Sequence, residues 1–307
     1  MIAQSRRKKL WFGTLEHSQW LPTPNSGADV SASGWGDGGD LLNGGAYSFG
    51  SWGSHRTYQY EWPVSSSREA ASIMTSYANG TYGRGLLYFQ DPLTYDTNVL
   101  PANWADPSMT VGFEGSSPVY GVDAVSMPQS PGRWGLPVRT ATWDLSDVTP
   151  GFRGEVDAVY VTIPEGYTLA LGAFYSVTGS GGIYATPYSN GGLGTATRLT
   201  ELSDSSPAVV FDSFSGVDGV WLWIGREDST PSSVTAGGLI GRLISSDKMT
   251  PGTPEFIKAT STPWMAGDGH SGCRFSGKPT RIEMNGIGGG QVQYAATLVE
   301  VGSWANG

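Results

Sequence analysis

Tyr58-Gln59-Tyr60-Glu61-Trp62-Pro63-Val64 puts Tyr58, Tyr60, Trp62 and Val64 on one side of an extended chain and Gln59, Glu61 and Pro63 on the other. A period of two marks a half-buried strand, because successive side chains of a strand point to opposite faces. Pro63 has no N–H to give to a ladder, so that end of the strand is expected at a sheet edge or beside a bulge. Directly after it, Ser66-Ser67-Arg68-Glu69 has the form of a capping box. Ala70, Ile73, Met74 and Tyr77 then recur at helical spacing before Asn79-Gly80. One helix, Arg68 to Asn79, is predicted to pack on the sheet.

Outward from this pair, short strands separated by turn residues dominate. Toward the N-terminus, Leu10 to Leu15 reads as a strand and Pro22, Pro24, Asn25 and Gly27 as a loop. Asn43-Gly44, inside the glycine-dense run from Trp35 to Gly53, is the two-residue signal of a tight hairpin. Toward the C-terminus, Leu86 to Phe89 reads as a buried strand and Thr94 to Asp106 as a long connecting loop. Met127 to Pro137 packs three prolines and two glycines into eleven residues, and a domain boundary is expected there. Beyond it nine strands follow: Val138–Asp144, Val156–Ile163, Thr168–Val177, Ile183–Thr186, Ala208–Phe211, Val220–Ile224, Gly238–Ile244, Arg281–Asn285 and Val292–Val301. In Val220-Trp221-Leu222-Trp223-Ile224 every residue is apolar, which fits a strand covered on both faces or one with an exposed Trp pair.

The expected fold is therefore mainly β: two β-sandwich domains, residues 1–130 with one α-helix and residues 131–307 as an antiparallel sandwich or jelly roll. With 307 residues, 12 Trp, 14 Tyr and 10 Phe the chain has material for two cores. Its 45 Gly and 19 Pro show no G-X-Y period, so they punctuate short elements.

Charge and cysteine content narrow the function classes. Net charge is −9, and Arg6, Arg7, Lys8 and Lys9 stand together; without them 14 basic residues face 27 acidic ones, a balance of −13. Such a surface repels phosphate backbones, so nucleic-acid-specific binding is not expected. The four-residue basic cluster reads as a solvated terminus or as an assembly arm against an acidic neighbouring subunit. A single cysteine, Cys273, allows no disulfide within the chain, which suits assembly in a reducing cytoplasm. No apolar run reaches a membrane-spanning length, and Leu10 to Phe12 is too short for a signal core, so neither a membrane span nor export is expected.

No pattern for side-chain catalysis emerges, and no cofactor or metal is expected. The three histidines, His17, His55 and His270, are at least 38 positions apart, against the short spacings of zinc sites. Asp268-Gly269-His270-Ser271-Gly272 holds an acid, an imidazole and a hydroxyl in one loop, but triads converge from distant segments, and a local turn explains these residues. Glu227-Asp228 are adjacent and so point apart. Gly286 to Gly290 reads as a hairpin between two strands rather than a phosphate cradle. Asn79-Gly80-Thr81 matches a glycosylation sequon and reads first as a helix C-cap. What remains is aromatic: Tyr184, Tyr188 and Trp264, with His270 beside them, are the candidate contacts for a glycan or a partner, burial of the rings being the competing reading.

The segments LWFGTLEHSQWLPTPNSG and LLNGGAYSFGSWGSHRTYQYEW, the helix that follows and GLLYFQDP resemble the start of minor tail proteins of siphophages that infect actinobacteria, in the distal tail protein group. GEVDAVYVTIPEGYTLALG, WMAGDGHSGCRFSGKPTRIEMNG and ATLVEVGSW are similar to the jelly-roll, galectin-like or carbohydrate-binding-module-like domains attached to such proteins. The resemblance implies a belt-like, ring-forming first domain and an outward second domain. It also implies a homo-oligomer, as a hexamer, that joins the tail tube protein to other tail-tip proteins, with the tape measure protein and host-surface glycans as further partners. The location implied is the virion tail tip after assembly in the host cytoplasm. Two other readings stay open: a free carbohydrate-binding protein, and a cell-wall hydrolase whose carboxylates would converge only in space.

Overall fold

A computed structural model describes residues 9–25, 29–33, 36–40, 46–50, 55–91, 98–105, 119–123, 138–152, 158–199, 209–212, 216–246, 267–269, 272–284 and 291–301. Within them the chain is mainly β, with 22 strands, one helix of 15 residues and one single-turn helix of four. No helix among these residues is long and apolar enough to cross a membrane.

The N-terminal part starts with β1 (Leu10–Gly13) and β2 (Ser18–Leu21), an antiparallel pair, followed by β3 (Asp29–Ser33). Then come β4 (Gly36–Asp40) and β5 (Ala46–Gly50), paired antiparallel from Gly36↔Gly50 to Asp40↔Ala46. A hairpin stands where one was expected, with Asp40 opposite Ala46; the two-residue turn read at Asn43-Gly44 lies outside the described residues. Next are β6 (His55–Trp62), α1 (Val64–Ala78) and β7 (Tyr88–Gln90). The period-two reading of β6 holds: Tyr58, Tyr60 and Trp62 are buried while Gln59 and Glu61 are exposed.

The start of α1 differs from expectation. Pro63 is the N-cap of the helix, with φ −64° and ψ 154°. The end of β6 before it, Tyr60 to Trp62, has β22 as its one strand partner among the described residues, as expected of a sheet edge, and the strand stops before the proline that could not have joined its ladder. The helix begins at Val64, so Ser66 and Glu69 lie inside its first turns and no side chain caps it. The end is as expected: Gly80 takes φ +75°, Gly80 N–H donates to Tyr77 O and Thr81 N–H donates to Ser76 O, both at 2.9 Å. That pair of bonds is a Schellman motif, which needs a residue at ease in the left-handed region.

The stretch expected to be a long loop contains structure. β8 (Asn98–Pro101) and α2 (Ala102–Ala105) place Val99, Leu100 and Trp104 in an apolar core. The Asn98 side chain replaces a strand's hydrogen bonds: Nδ2 donates to Leu239 O at 2.8 Å, and Oδ1 accepts from Gly241 N–H at 2.9 Å. No periodicity announces this, because a single amide makes the connection.

β9 (Val119–Asp123), β10 (Val138–Asp144), β11 (Ala158–Thr162), β12 (Tyr167–Thr178), β13 (Gly181–Ser189), β14 (Gly192–Leu193), β15 (Thr197–Arg198), β16 (Val209–Asp212), β17 (Gly219–Arg226) and β18 (Ser233–Ser245) follow. They form two antiparallel sheets, ordered β16-β12-β18-β10-β9 and β11-β17-β13-β14, with β15 also on β13. Trp143, Leu145, Val161, Leu169, Leu171, Ile183, Leu222 and Leu243 interleave between them in one core. This is a β-sandwich.

The last strands return to the beginning. After β19 (Gly267–Gly269), which pairs with β8, come β20 (Cys273–Phe275), β21 (Thr280–Met284) and β22 (Gln291–Glu300). β22 lies antiparallel between β6 on one side and β20 and β21 on the other, with Ala296 opposite Tyr60 and Leu298 opposite Tyr58. Leu87 and Cys273 exchange both backbone hydrogen bonds at 2.9 Å, linking β7 to β20. The second core is therefore built from Leu10, Phe12, Leu21, Tyr60, Trp62, Met74 and Phe89 together with Cys273, Tyr294, Ala296 and Leu298. The division expected at residues 130 and 131 falls in a segment outside the described residues, and each core draws on strands from both sides of it.

Candidate functional site

The two cores meet along an aromatic seam. In β1, Leu10 and Phe12 point into their own core and Trp11 points out, as strand alternation requires. Trp20, Trp11 and Gln90 stand in one row across β2, β1 and β7. The Trp11 indole N–H donates to Thr162 Oγ1 of β11 at 3.0 Å, and Gln90 Nε2 donates to Thr162 O at 3.2 Å. Trp20 lies 6.2 Å from the Tyr167 ring, and Tyr88 meets Tyr160 edge-on at 4.8 Å. The outer face of the β11-β17-β13 sheet thus carries its own aromatic cluster: Tyr88, Tyr160, Tyr184, Tyr188, Trp221 and Trp223. β17 is buried along its whole length, Val220, Leu222 and Ile224 facing the sandwich core and Trp221 and Trp223 facing this cluster.

That cluster decides the fate of two candidate residues. Tyr184 is fully buried, stacked on Trp223 at 4.5 Å, with its hydroxyl donating to Ser180 O at 3.0 Å. Burial pushes its phenol up to about 12. Tyr188 is buried against Tyr160. Neither ring offers a flat face to a ligand: Tyr184 fills the space beside Trp223, and Tyr188, opposite Gly219, packs against Tyr160. Trp264 and His270 lie outside the described residues, as do Arg6, Arg7 and Lys8; Lys9 is exposed. Glu227 and Asp228 are exposed in the turn after β17, where Asp228 accepts from Ser180 Oγ at 2.6 Å and from Thr230 N–H at 2.8 Å. Among the described residues no three His, Cys, Asp or Glu side chains converge to hold a metal.

The opposite sheet offers an open feature. At one end of β10, β18 and β12, two rows of small oxygen-bearing side chains run across the outer face in register: Asp144, Ser233 and Thr178, then Thr142, Thr235 and Ser176. Thr142 and Thr235 hydroxyls bond at 2.8 Å, and so do Thr178 and Ser233. Thr142, Asp144, Ser146, Thr178, Pro231, Ser232 and Ser233 line a shallow trough of about 320 Å³. Elsewhere on this face Thr168, Ala170, Ile240, Arg242 and Ile244 are buried, so the trough marks where the covering stops. Its wall depends on Gly179, at φ +68°, where a Cβ would run into the Pro231 carbonyl oxygen. The turn at Gly179 brings Ser180 onto both Asp228 and Ser232.

Two carboxylates stand in or beside this feature, both on the acid side of their usual range. Asp144 is lowered by hydrogen bonds from the Ser146 hydroxyl and N–H. Asp228 is lowered to about 2, first by the Ser180 hydroxyl and then by Thr230. Both are ionised at neutral pH and act as acceptors only. Sequence reading missed the trough because threonine and serine are ordinary on the solvent side of a strand; only the register sets them side by side.

Comparison with protein families, with curated proteins and with solved structures finds no match to this chain.

Proposed function

We propose that this chain is a structural component of a phage tail tip, a distal or minor tail protein whose copies form a ring joining the tail tube to the tip assembly. The observation that carries the reading is β22 closing on β6. The chain leaves one β unit after Asp91, builds the sandwich, and returns to the same unit at Gly272. That layout suits a ring-forming base with a module held out from it. The seam through Trp11, Tyr88 and Thr162 occupies the outer face of one sandwich sheet, which leaves the trough on the other sheet turned away from the base. The resemblance of the N-terminal segments to tail proteins supplies the biological setting. Native mass spectrometry and cryo-electron microscopy of the purified chain, alone and with the tail-tube protein, test it. A closed homo-oligomer, expected as a hexamer, supports the proposal; a stable monomer at high concentration with the tube protein present overturns it.

The trough favours a second reading, a free carbohydrate-binding protein. The two differ in assembly: that protein binds glycan as a monomer and ignores the tail tube.

A further inference from the structure

We infer that Asn190, at the tip of the β13–β14 hairpin, is a site of spontaneous deamidation, and that the modification loosens this edge of the sandwich. The inference goes beyond the tail-tip reading and does not rest on it; it concerns one hairpin and its own chemistry.

The sequence holds five Asn-Gly pairs, and the described residues include two of them, Asn79-Gly80 and Asn190-Gly191. An asparagine followed by glycine is open to attack on its own side chain, because no Cβ on the next residue hinders the approach of that residue's amide nitrogen. At this site the Gly191 nitrogen bonds to Asn190 Cγ, the Cγ–Nδ2 bond breaks, and the proton lost by Gly191 leaves with the departing ammonia. A five-membered succinimide results, and water opens it on one side or the other. Cleavage of the new N–Cγ bond leaves an ordinary aspartate. Cleavage of the bond to the backbone carbonyl carbon leaves isoaspartate, whose main chain runs through the side chain and is one methylene longer.

Both pairs share this chemistry, and the fold separates them. At the end of α1 the Asn79 N–H donates to Thr75 O and the Gly80 N–H to Tyr77 O, each at 2.9 Å, next to the buried Tyr77 ring. The Gly80 nitrogen is engaged, and the turn cannot rearrange without unwinding the helix end. Asn190 is exposed and is the one non-glycine residue with positive φ among the described residues, at +49°, followed by Gly191 at +79°. With Tyr188 opposite Leu193 and Ser189 opposite Gly192, the two residues form the type I′ turn of a two-residue hairpin. Among the described residues the Gly191 N–H donates to no acceptor, and nothing lies within 4 Å of where a Cβ on Gly191 would stand. The turn must open for this nitrogen to swing onto Cγ, and little resists it. β14 is only two residues long and both are exposed, with one further bond, Gly194 N–H to Pro187 O at 2.7 Å, behind it. Short exposed pairings of this kind open at low free energy.

The products do not fit the turn they come from. A two-residue loop has no room for an extra backbone atom, so isoaspartate forces Ser189 and Gly192 out of register. Either product also brings a carboxylate to the neighbourhood of Asp218, whose Oδ2 accepts from the Asn190 N–H at 2.9 Å.

The test keeps the full chain in warm, mildly alkaline buffer, folded or in urea, and follows the amide-to-acid mass change at each asparagine by peptide mass spectrometry. Electron-transfer fragmentation separates isoaspartate from aspartate. In the folded chain Asn190 should convert at least about tenfold faster than Asn79, whereas in urea the two should come within about threefold of each other. Hydrogen exchange at Gly194 should quicken as Asn190 converts, and should not in an equally aged Asn190→Gly variant, which keeps a residue at ease at positive φ but has no side-chain amide to lose. Any smaller preference for Asn190 in the folded chain overturns the site, and a preference as large in urea assigns it to the flanking residues and overturns the part given to the fold. Unchanged exchange at Gly194 while Asn190 converts overturns the loosening. If the variant does not fold, the two asparagines of the unaltered chain, compared folded and unfolded, decide alone.

Discussion

Replacing Thr162 by valine tests whether the seam joins the two cores into one cooperative structure. Thr162 is 1% exposed; its hydroxyl accepts the Trp11 indole N–H at 3.0 Å and donates to Asp218 O at 3.4 Å. Valine keeps the volume and the β-branch but leaves the Trp11 N–H, on a side chain only 8% exposed, with no acceptor. A buried donor stranded this way costs about 1–3 kcal/mol. The bond from Gln90 to the Thr162 carbonyl survives, so the seam is weakened rather than opened. Trp11→Phe removes the donor and part of the ring, costing packing as well. In the double variant no donor is stranded, so the two losses should not add; a coupling of about 1 kcal/mol or more is expected for residues in direct contact. Urea unfolding followed by tryptophan fluorescence measures it. Strictly additive losses, or Thr162→Val at wild-type stability, would refute the seam as drawn.

Three further outcomes follow from single contacts. Asn98→Ala strands the Leu239 carbonyl and the Gly241 N–H; a loss of about 2–4 kcal/mol and faster hydrogen exchange at Gly241 are expected, and unchanged exchange there counts against the amide as a strand substitute. Gly179→Ala forces a Cβ into the left-handed region and against Pro231 O, so it should lower stability by more than about 1 kcal/mol in thermal unfolding. Because the Asp228 pKa is depressed to about 2, its contribution is present above the unfolded value near 4 and is lost as pH falls through about 2. A carboxyl-carbon NMR titration should place the Asp228 midpoint near 2, and a midpoint near 4 would show that the Ser180 bond does not hold in solution.

The strands themselves were largely legible. Tyr58 to Trp62 alternates because one face is core, and Asn79-Gly80 ends the helix because glycine accepts the backbone turn there. All nine strands read beyond residue 137 have counterparts, from Val138–Asp144 to Gln291–Glu300. The helix start was misplaced because Ser66 and Glu69 carry a capping pattern that the backbone does not use, Pro63 having already opened the helix. Tyr184 and Tyr188 looked available because turns flank them; their neighbours across the sheet, Trp223 and Tyr160, were invisible in the linear order.

Local chemistry along the chain therefore determined the mainly β class, the presence of the long helix α1 and the lack of a clustered histidine pattern, since periodicity, turns and composition act over a few residues. Partnership was decided only by the tertiary structure. β22 pairs with β6 across more than two hundred residues, Trp11 finds Thr162, and Thr142, Thr178 and Ser233 line one trough. Strand pairing depends on which faces and edges remain unsatisfied once the whole chain has collapsed, and backbone hydrogen bonds are the same for every partner. A strand's sequence states what it must bury; the rest of the molecule chooses what it is buried against.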